Sequence, residues 1–359
     1  MNFSSRKKLL PLAWIAACCA LAIAWVNHNL EVKKMEERIR LMSMKTVCVG
    51  RFLLDVPEKS VVSYRNASLS GWDISSWVES DEKFFGRLTS LEAKLKMEKN
   101  AKDGVSLERI DEIKNDDVQG RIFVFNRNWL DGYDGSKKKV NQVISIRALV
   151  RSRDVTYKVD AEVRWDADVE KLEKILKQLR WRAEYEIPEQ EGFCFSRGML
   201  VDPLPAHLAE YTGIFLGIKE HPDLAIAFTT MAGINPGKTL LQRDAENDVK
   251  LEYRNRFHVL REGARGLNGI PGEEMLERVD EPNGSTLQGF MWESLSKQDD
   301  VYLPSLILEL DTGHGQPGKP INSSLSDVEA LALWDKISSS LRRRPVGASR
   351  PTASSSKEG

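Results

Sequence analysis

Cysteine, histidine and net charge are all scarce in this 359-residue chain, which has four cysteines, five histidines and a formal charge of −1. With 52 Lys+Arg against 53 Asp+Glu, no surplus of positive charge exists to displace counterions from phosphates, which argues against a nucleic-acid binder. His28, His207, His221, His258 and His314 are not spaced as pairs of metal ligands, so neither a metal site nor a cofactor is expected. The sequence also lacks a Gly-x-Ser-x-Gly elbow and a His-Glu-x-x-His helix, so two common hydrolase signatures are missing. Asp311-Thr312-Gly313 offers one carboxylate of an aspartic-protease dyad and no second copy accompanies it. No catalytic residue is expected. Disorder as the main state is excluded by a hydrophobic content of 41%, and the length suits two domains.

Long apolar runs are absent except at the start. Leu9 to Val26 is an uncharged run of 18 residues preceded by Arg6, Lys7 and Lys8, the pattern of a membrane-targeting segment whose N-terminus stays in the cytoplasm. The charged, helix-compatible stretch from Asn29 to Met44 suits a stem, so residues 1–44 are read as signal-anchor and stem. A signal peptide cleaved near Ala22-Ile23-Ala24 and a lipoprotein carrying lipid on Cys18 are the alternatives. With Cys18 and Cys19 inside the apolar run, only Cys48 and Cys194 belong to the body. They could pair in an oxidising compartment or stand as two buried free thiols.

Three matches recur in the same order along the body. Cys48, Arg51 and Pro57 are echoed by Cys194, Arg197 and Pro203, and Leu107–Gly120 shares seven identities over 14 positions with Leu276–Gly289. Asp168-Val169-Glu170 and Asp327-Val328-Glu329 each open an amphipathic segment, one ending in Leu179-Arg180-Trp181-Arg182 and the other in Leu341-Arg342-Arg343-Arg344. This internal repeat predicts two homologous domains, 45–186 and 190–346, followed by a low-complexity tail, 347–359. Strand-like runs are expected at Val47–Val56, Phe193–Val201, Gly120–Phe125, Val140–Val150 and Val155–Val163, with a helix over Asp81–Asn100. Consecutive strands with short turns and flanking helices predict an α+β fold, each domain an antiparallel sheet with flanking helices.

Ala232-Gly233-Ile234-Asn235-Pro236-Gly237-Lys238-Thr239 fits a degenerate phosphate-loop pattern, in which backbone amides would wrap a phosphate, Lys238 would reach it and Thr239 would hold magnesium. A nucleotide-binding protein is therefore one alternative, although Pro236 removes an amide and the first repeat has no counterpart. The other is an anchored envelope scaffold with an unrelated partner. Without a catalytic set the chain is read as a binding protein. Its candidate contact loop is Asn128–Gly135, carrying Trp129, Leu130 and Tyr133 among turn residues; Asp299 and Asp300 beside Tyr302 form a second candidate. Closing the core beneath the hairpin is the competing role for Trp129 and Leu130.

Cys48–Pro57, Gly192-Phe193-Cys194-Phe195 with Gly198, and Gly269-Ile270-Pro271-Gly272-Glu273-Glu274 with Arg261 and Gly263 resemble the two-domain immunity proteins that neutralise phospholipase effectors of bacterial type VI secretion. The similarity spans about residues 46–344, and these Gly and Pro motifs specify turns more than a contact surface. The resemblance implies a non-enzymatic inhibitor on the periplasmic side of the inner membrane, whose two domains clamp a secreted phospholipase toxin and thereby protect the producing cell.

Overall fold

Alternating apolar and polar residues, punctuated by short turns, build one strand after another along this chain. In a computed structural model the structure describes residues 9–204, 209–298, 300–313, 315, 319 and 321–345, without the side chains of 9–22, 24, 28 and 134. His207, Asp299, His314 and the tail 347–359 lie outside the described residues, as do most side chains of the apolar run Leu9 to Val26. Among the described residues no helix is long and apolar enough to cross a membrane.

Helix α1 (Leu9–Arg40) leads into a hairpin, β1 (Met44–Val49) and β2 (Phe52–Pro57). Short strands β3 (Val61–Tyr64) and β4 (Ala67–Leu69) precede β5 (Trp72–Val78) and helix α2 (Asp81–Met97). A meander of β6 (Leu107–Lys114), β7 (Gln119–Asp134), β8 (Lys137–Ser152) and β9 (Val155–Arg164) ends in helix α3 (Asp168–Gln178) and strand β10 (Leu179–Trp181). The second half reopens with a hairpin, β11 (Gly192–Phe195) and β12 (Gly198–Val201), then β13 (Glu210–Ile218) and β14 (His221–Met231). Short helices α4 (Leu240–Ala245) and α5 (Asp248–Glu252) lead to β15 (Phe257–Ala264), β16 (Gly272–Asp280), β17 (Thr286–Ser294) and β18 (Ser305–Asp311). Helix α6 (Asp327–Ser338) and strand β19 (Arg342–Arg343) complete the body.

The strand pairs are antiparallel, and the helices sit at the ends of the strand runs, giving the expected α+β class. Helix ends follow local chemistry. Ser80 caps α2 by accepting from the Lys83 amide, with Asp81 and Glu82 in the first turn and Lys94 and Lys96 in the last. Ser326 and Glu329 form a reciprocal capping box at the start of α6. Helix α2 stops at Met97, because Glu98 is already extended.

Instead of two separate sheets, a single 13-stranded sheet runs through both halves, twelve strands in the order β15-β16-β17-β18-β14-β13-β4-β5-β9-β8-β7-β6 and β3 beside β13 off that path. Strand β13 carries the junction: Tyr64–Val61 pair with Ile214–Gly217, and Leu69 and Ser68 pair with Glu210 and Tyr211. The opening hairpins cross over. Val47, Val49, Phe52, Leu54 and Val56 of β1–β2 are buried with Ile214, Phe228, Trp292 and Trp334 of the second half. Phe193, Phe195 and Leu200 of β11–β12 are buried with Trp72, Tyr157 and Leu176 of the first. The closing strands stay with their own halves and receive the exchanged hairpins, β10 pairing with β12 and β19 with β2. The segments 45–186 and 190–346 thus exchange hairpins rather than each burying a core of its own.

Both hairpins were expected as single strands. The first breaks where Gly50 takes φ +59, a conformation in which a side chain would be strained and where a Cβ would lie 2.7 Å from Thr230 Cγ2. The second breaks at Arg197, also with positive φ. Gly50 and Cys194 exchange N–H···O bonds of 2.8 Å in both directions, and the Cys48 and Cys194 sulfurs beside them are bonded, with Cα atoms 5.9 Å apart. That bond, buried with Leu53, fastens the two exchanged hairpins to each other.

Candidate protein-binding surface

The segment read as a contact loop is strand. Pairing of β7 with β8 continues past a bulge at Phe125–Asn128, where Asn126 takes φ +53, and runs from Asn128↔Val143 to Asp134↔Lys137. Strand β6 reaches only Phe125 and β9 ends opposite Ile144, so residues 128–143 form a two-stranded arm with both edges open. Gly, Asp and Asn residues suggested a turn, but antiparallel pairing with an equally long β8 overrode that local preference.

The root of the arm is pinned. Arg127 donates to Glu108 and Asp166, each at 2.8 Å, and Lys102 lies 3.7 Å from the centre of the Trp129 ring. Its hydrogen bonds to Asp166 and then Glu108 hold the Arg127 guanidinium above its ordinary range, and the same contact lowers Asp166. Beyond the root, Tyr133 is 76% exposed, Val140 54% and Leu130 37%. Cross-strand pairs put Trp129, Tyr133 and Val140 on one face of the ribbon and Leu130 on the other. Asp131 and Lys138 form an ion pair of 2.9 Å on the first face, worth little in water.

The second candidate belongs to the other half. Asp300 closes its own turn, its Oδ1 accepting from the Tyr302 and Leu303 amides at 2.9 and 3.2 Å. Tyr302 lies against Arg51, 5.2 Å from ring centre to guanidinium carbon. Asp299 is not among the described residues.

Arg51 marks the seam between hairpin and sheet. Although buried, it donates to both oxygens of Glu210 at 2.7 and 2.9 Å and to Asp202 at 2.7 and 3.1 Å. Burial opposes its charge, and its hydrogen bonds to Glu210 and Asp202 override that, holding the guanidinium above its ordinary range. Nearby, Arg344 donates to the Gly192 carbonyl at 2.7 Å, and burial followed by repulsion from Arg51 and Arg182 pulls it down to about 10. The repeated Cys-x-x-Arg motif and the basic end of the second repeated segment, Arg342-Arg343-Arg344, were the sequence signals for this cluster.

The phosphate-loop reading fails on geometry. Thr239 is the N-cap of α4, a helix of six residues, and it exchanges hydrogen bonds with Gln242 instead of facing an open anion site. Lys238 pairs with Glu246, and Glu273 and Glu293 line the same cleft. A phosphate there would meet carboxylates.

Residues 45–182 match the description "Tle cognate immunity protein 4 N-terminal domain", and residues 186–346 match "Tle cognate immunity protein 4 C-terminal domain". The chain belongs to this family. No curated protein sequence matches it. Among solved structures, the apo immunity protein TplEi of the type VI secretion system of Pseudomonas aeruginosa is similar at 24% identity and TM-score 0.72, covering 86% of this chain and 99% of that one. TplEi complexed with "L" peptide is similar at 25% identity and TM-score 0.68, covering 84% and 99%. The Tle4-Tli4 complex contains a similar chain at 25% identity and TM-score 0.70, covering 84% and 98%.

Proposed function

We propose that this immunity protein binds a phospholipase effector of type VI secretion in the periplasm and inhibits it by occupation, without catalysis of its own. The observation that carries this reading is the two-domain family match together with the likeness, over nearly the whole of that relative, to a chain of the Tle4-Tli4 complex. An exposed ribbon on a double-hairpin body is the kind of surface such binding uses: Leu130 and Tyr133, with the half-buried Trp129, supply apolar contact area, and Asp300 and Tyr302 lie beside the seam. The halves clamp the partner as one preshaped body.

The run Leu9 to Val26 anchors this body to the inner membrane, with residues 1–8 in the cytoplasm. Support comes from the far end of α1. Ile39 is buried in the second-half core, and Lys336 of α6 donates to the carbonyls of Ile39 and Met42, both at 2.8 Å, so the stem joins the body rigidly. Expressing the effector in the periplasm of a sensitive cell tests the reading. Co-expression of the full chain is expected to restore growth, and a chain lacking residues 1–26, confined to the cytoplasm, is expected not to. Equal protection by the cytoplasmic form would overturn the periplasmic assignment.

A further inference from the structure

A cavity of about 760 Å³ opens on the first half between α3 and the β4–β5 turn, bordered by Pro203 and Leu204. Its wall is cationic. Lys171, Lys174 and Lys177 project along α3 at three-residue intervals, and Arg164 stands across from them. Lys171 is paired with Asp168 at 2.8 Å, and that carboxylate also accepts from the Trp165 amide. Lys174 has only the exposed Glu170, and Lys177 has no carboxylate partner among the described residues. Arg164 lies 4.6 Å from the Trp72 ring centre and donates once to the Ser70 carbonyl at 2.9 Å, while its Nε is buried without a partner. Trp72, Ile175 and Leu204 give the cavity an apolar floor.

We infer that this cavity takes an acidic segment of the phospholipase effector, its carboxylates against the lysines of α3 and its apolar side chains against Trp72 and Leu204. The inference rests on the function proposed above and adds a second contact to the arm. A compact phosphate wants donors converging on one point, whereas these ammonium groups are strung over about 9 Å of helix. That spacing suits an extended chain, in which side chains on one face recur about every 7 Å. Opposed charge also raises the encounter rate and makes it salt-sensitive.

The test uses the full chain in detergent and its cognate phospholipase effector. Lys174 and Lys177 are exposed, so the Lys174→Glu/Lys177→Glu variant should keep the unfolding midpoint of the unaltered chain. It is expected to bind the effector 10- to 100-fold more weakly through a slower association rate, with a flatter salt dependence, and Lys174→Arg/Lys177→Arg should restore binding. Unchanged affinity and salt dependence in the Glu variant would overturn the cavity assignment and leave the proposed function standing. Loss of binding to soluble glycerol phosphate in the Glu variant, with effector affinity intact, would overturn it in favour of a lipid headgroup. If the unaltered chain fails to bind the effector, both readings fall.

Discussion

Buried charge at single residues sets how this protein responds to pH. Asp223 is 2% exposed, and its Oδ2 accepts from the Ser324 and Gly313 amides at 2.9 and 3.1 Å. Burial pushes its carboxyl up, and the hydrogen bonds from Ser324 and Gly313 outweigh that, leaving it below the ordinary value. A depressed carboxylate stabilises the fold above its unfolded-state value near 3.8, and that contribution disappears as pH falls through the folded value. Asp223→Asn should therefore cost about 1–3 kcal/mol at pH 7. The two proteins' unfolding free energies should converge at low pH, and a pH-independent difference would contradict the assignment. Arg51 behaves differently because it never loses its proton: Arg51→Ala leaves the buried Glu210 and the half-buried Asp202 without their cation, a loss of about 3–5 kcal/mol that denaturant titration would read. The sequence marked Arg51 only as part of a repeated motif, since its partners lie about 150 residues away.

Among the elements, the arm is where local signals misled most. Strands Gly120–Phe125 and Val140–Val150 were legible from periodicity, as was the helix beginning at Asp81, but the Gly/Asp/Asn stretch between those strands read as a loop. Strand identity there depends on a partner strand of equal length, which composition does not report. Similarly, Val47–Val56 and Phe193–Val201 read as continuous strands because neither two-residue turn carries an Asn-Gly or Asp-Gly signal. If the arm is a contact surface, Leu130→Ala/Tyr133→Ala should change unfolding free energy by less than about 0.5 kcal/mol. The same variant should weaken effector binding by a factor of about 10 to 100, the cost of losing an aromatic anchor. Calorimetric titration showing unchanged affinity would remove the arm from the interface.

Hairpin exchange makes the whole molecule one unit. Fully burying each of Val47, Val49, Phe52, Leu54 and Val56 is worth about 1.5–3 kcal/mol, on the order of 10 kcal/mol together. That is comparable to the entire stability of an ordinary domain, so the second half without β1–β2 should not fold. Residues 190–359 alone should show no cooperative melt, whereas co-expressed 27–189 and 190–359 should form a complex joined by the Cys48–Cys194 bond. A cooperative transition for either isolated half would contradict the exchange. Two halves and an antiparallel α+β fold were readable from the repeated motifs and alternating strands. The crossing was not, because one chain can place a hairpin on either neighbouring core. The most direct test of function is to titrate the effector's phospholipase activity with the purified chain. Linear loss of activity ending at one chain per effector is the predicted result. Full activity at a molar excess of the chain, with no complex on gel filtration, would contradict inhibition by binding.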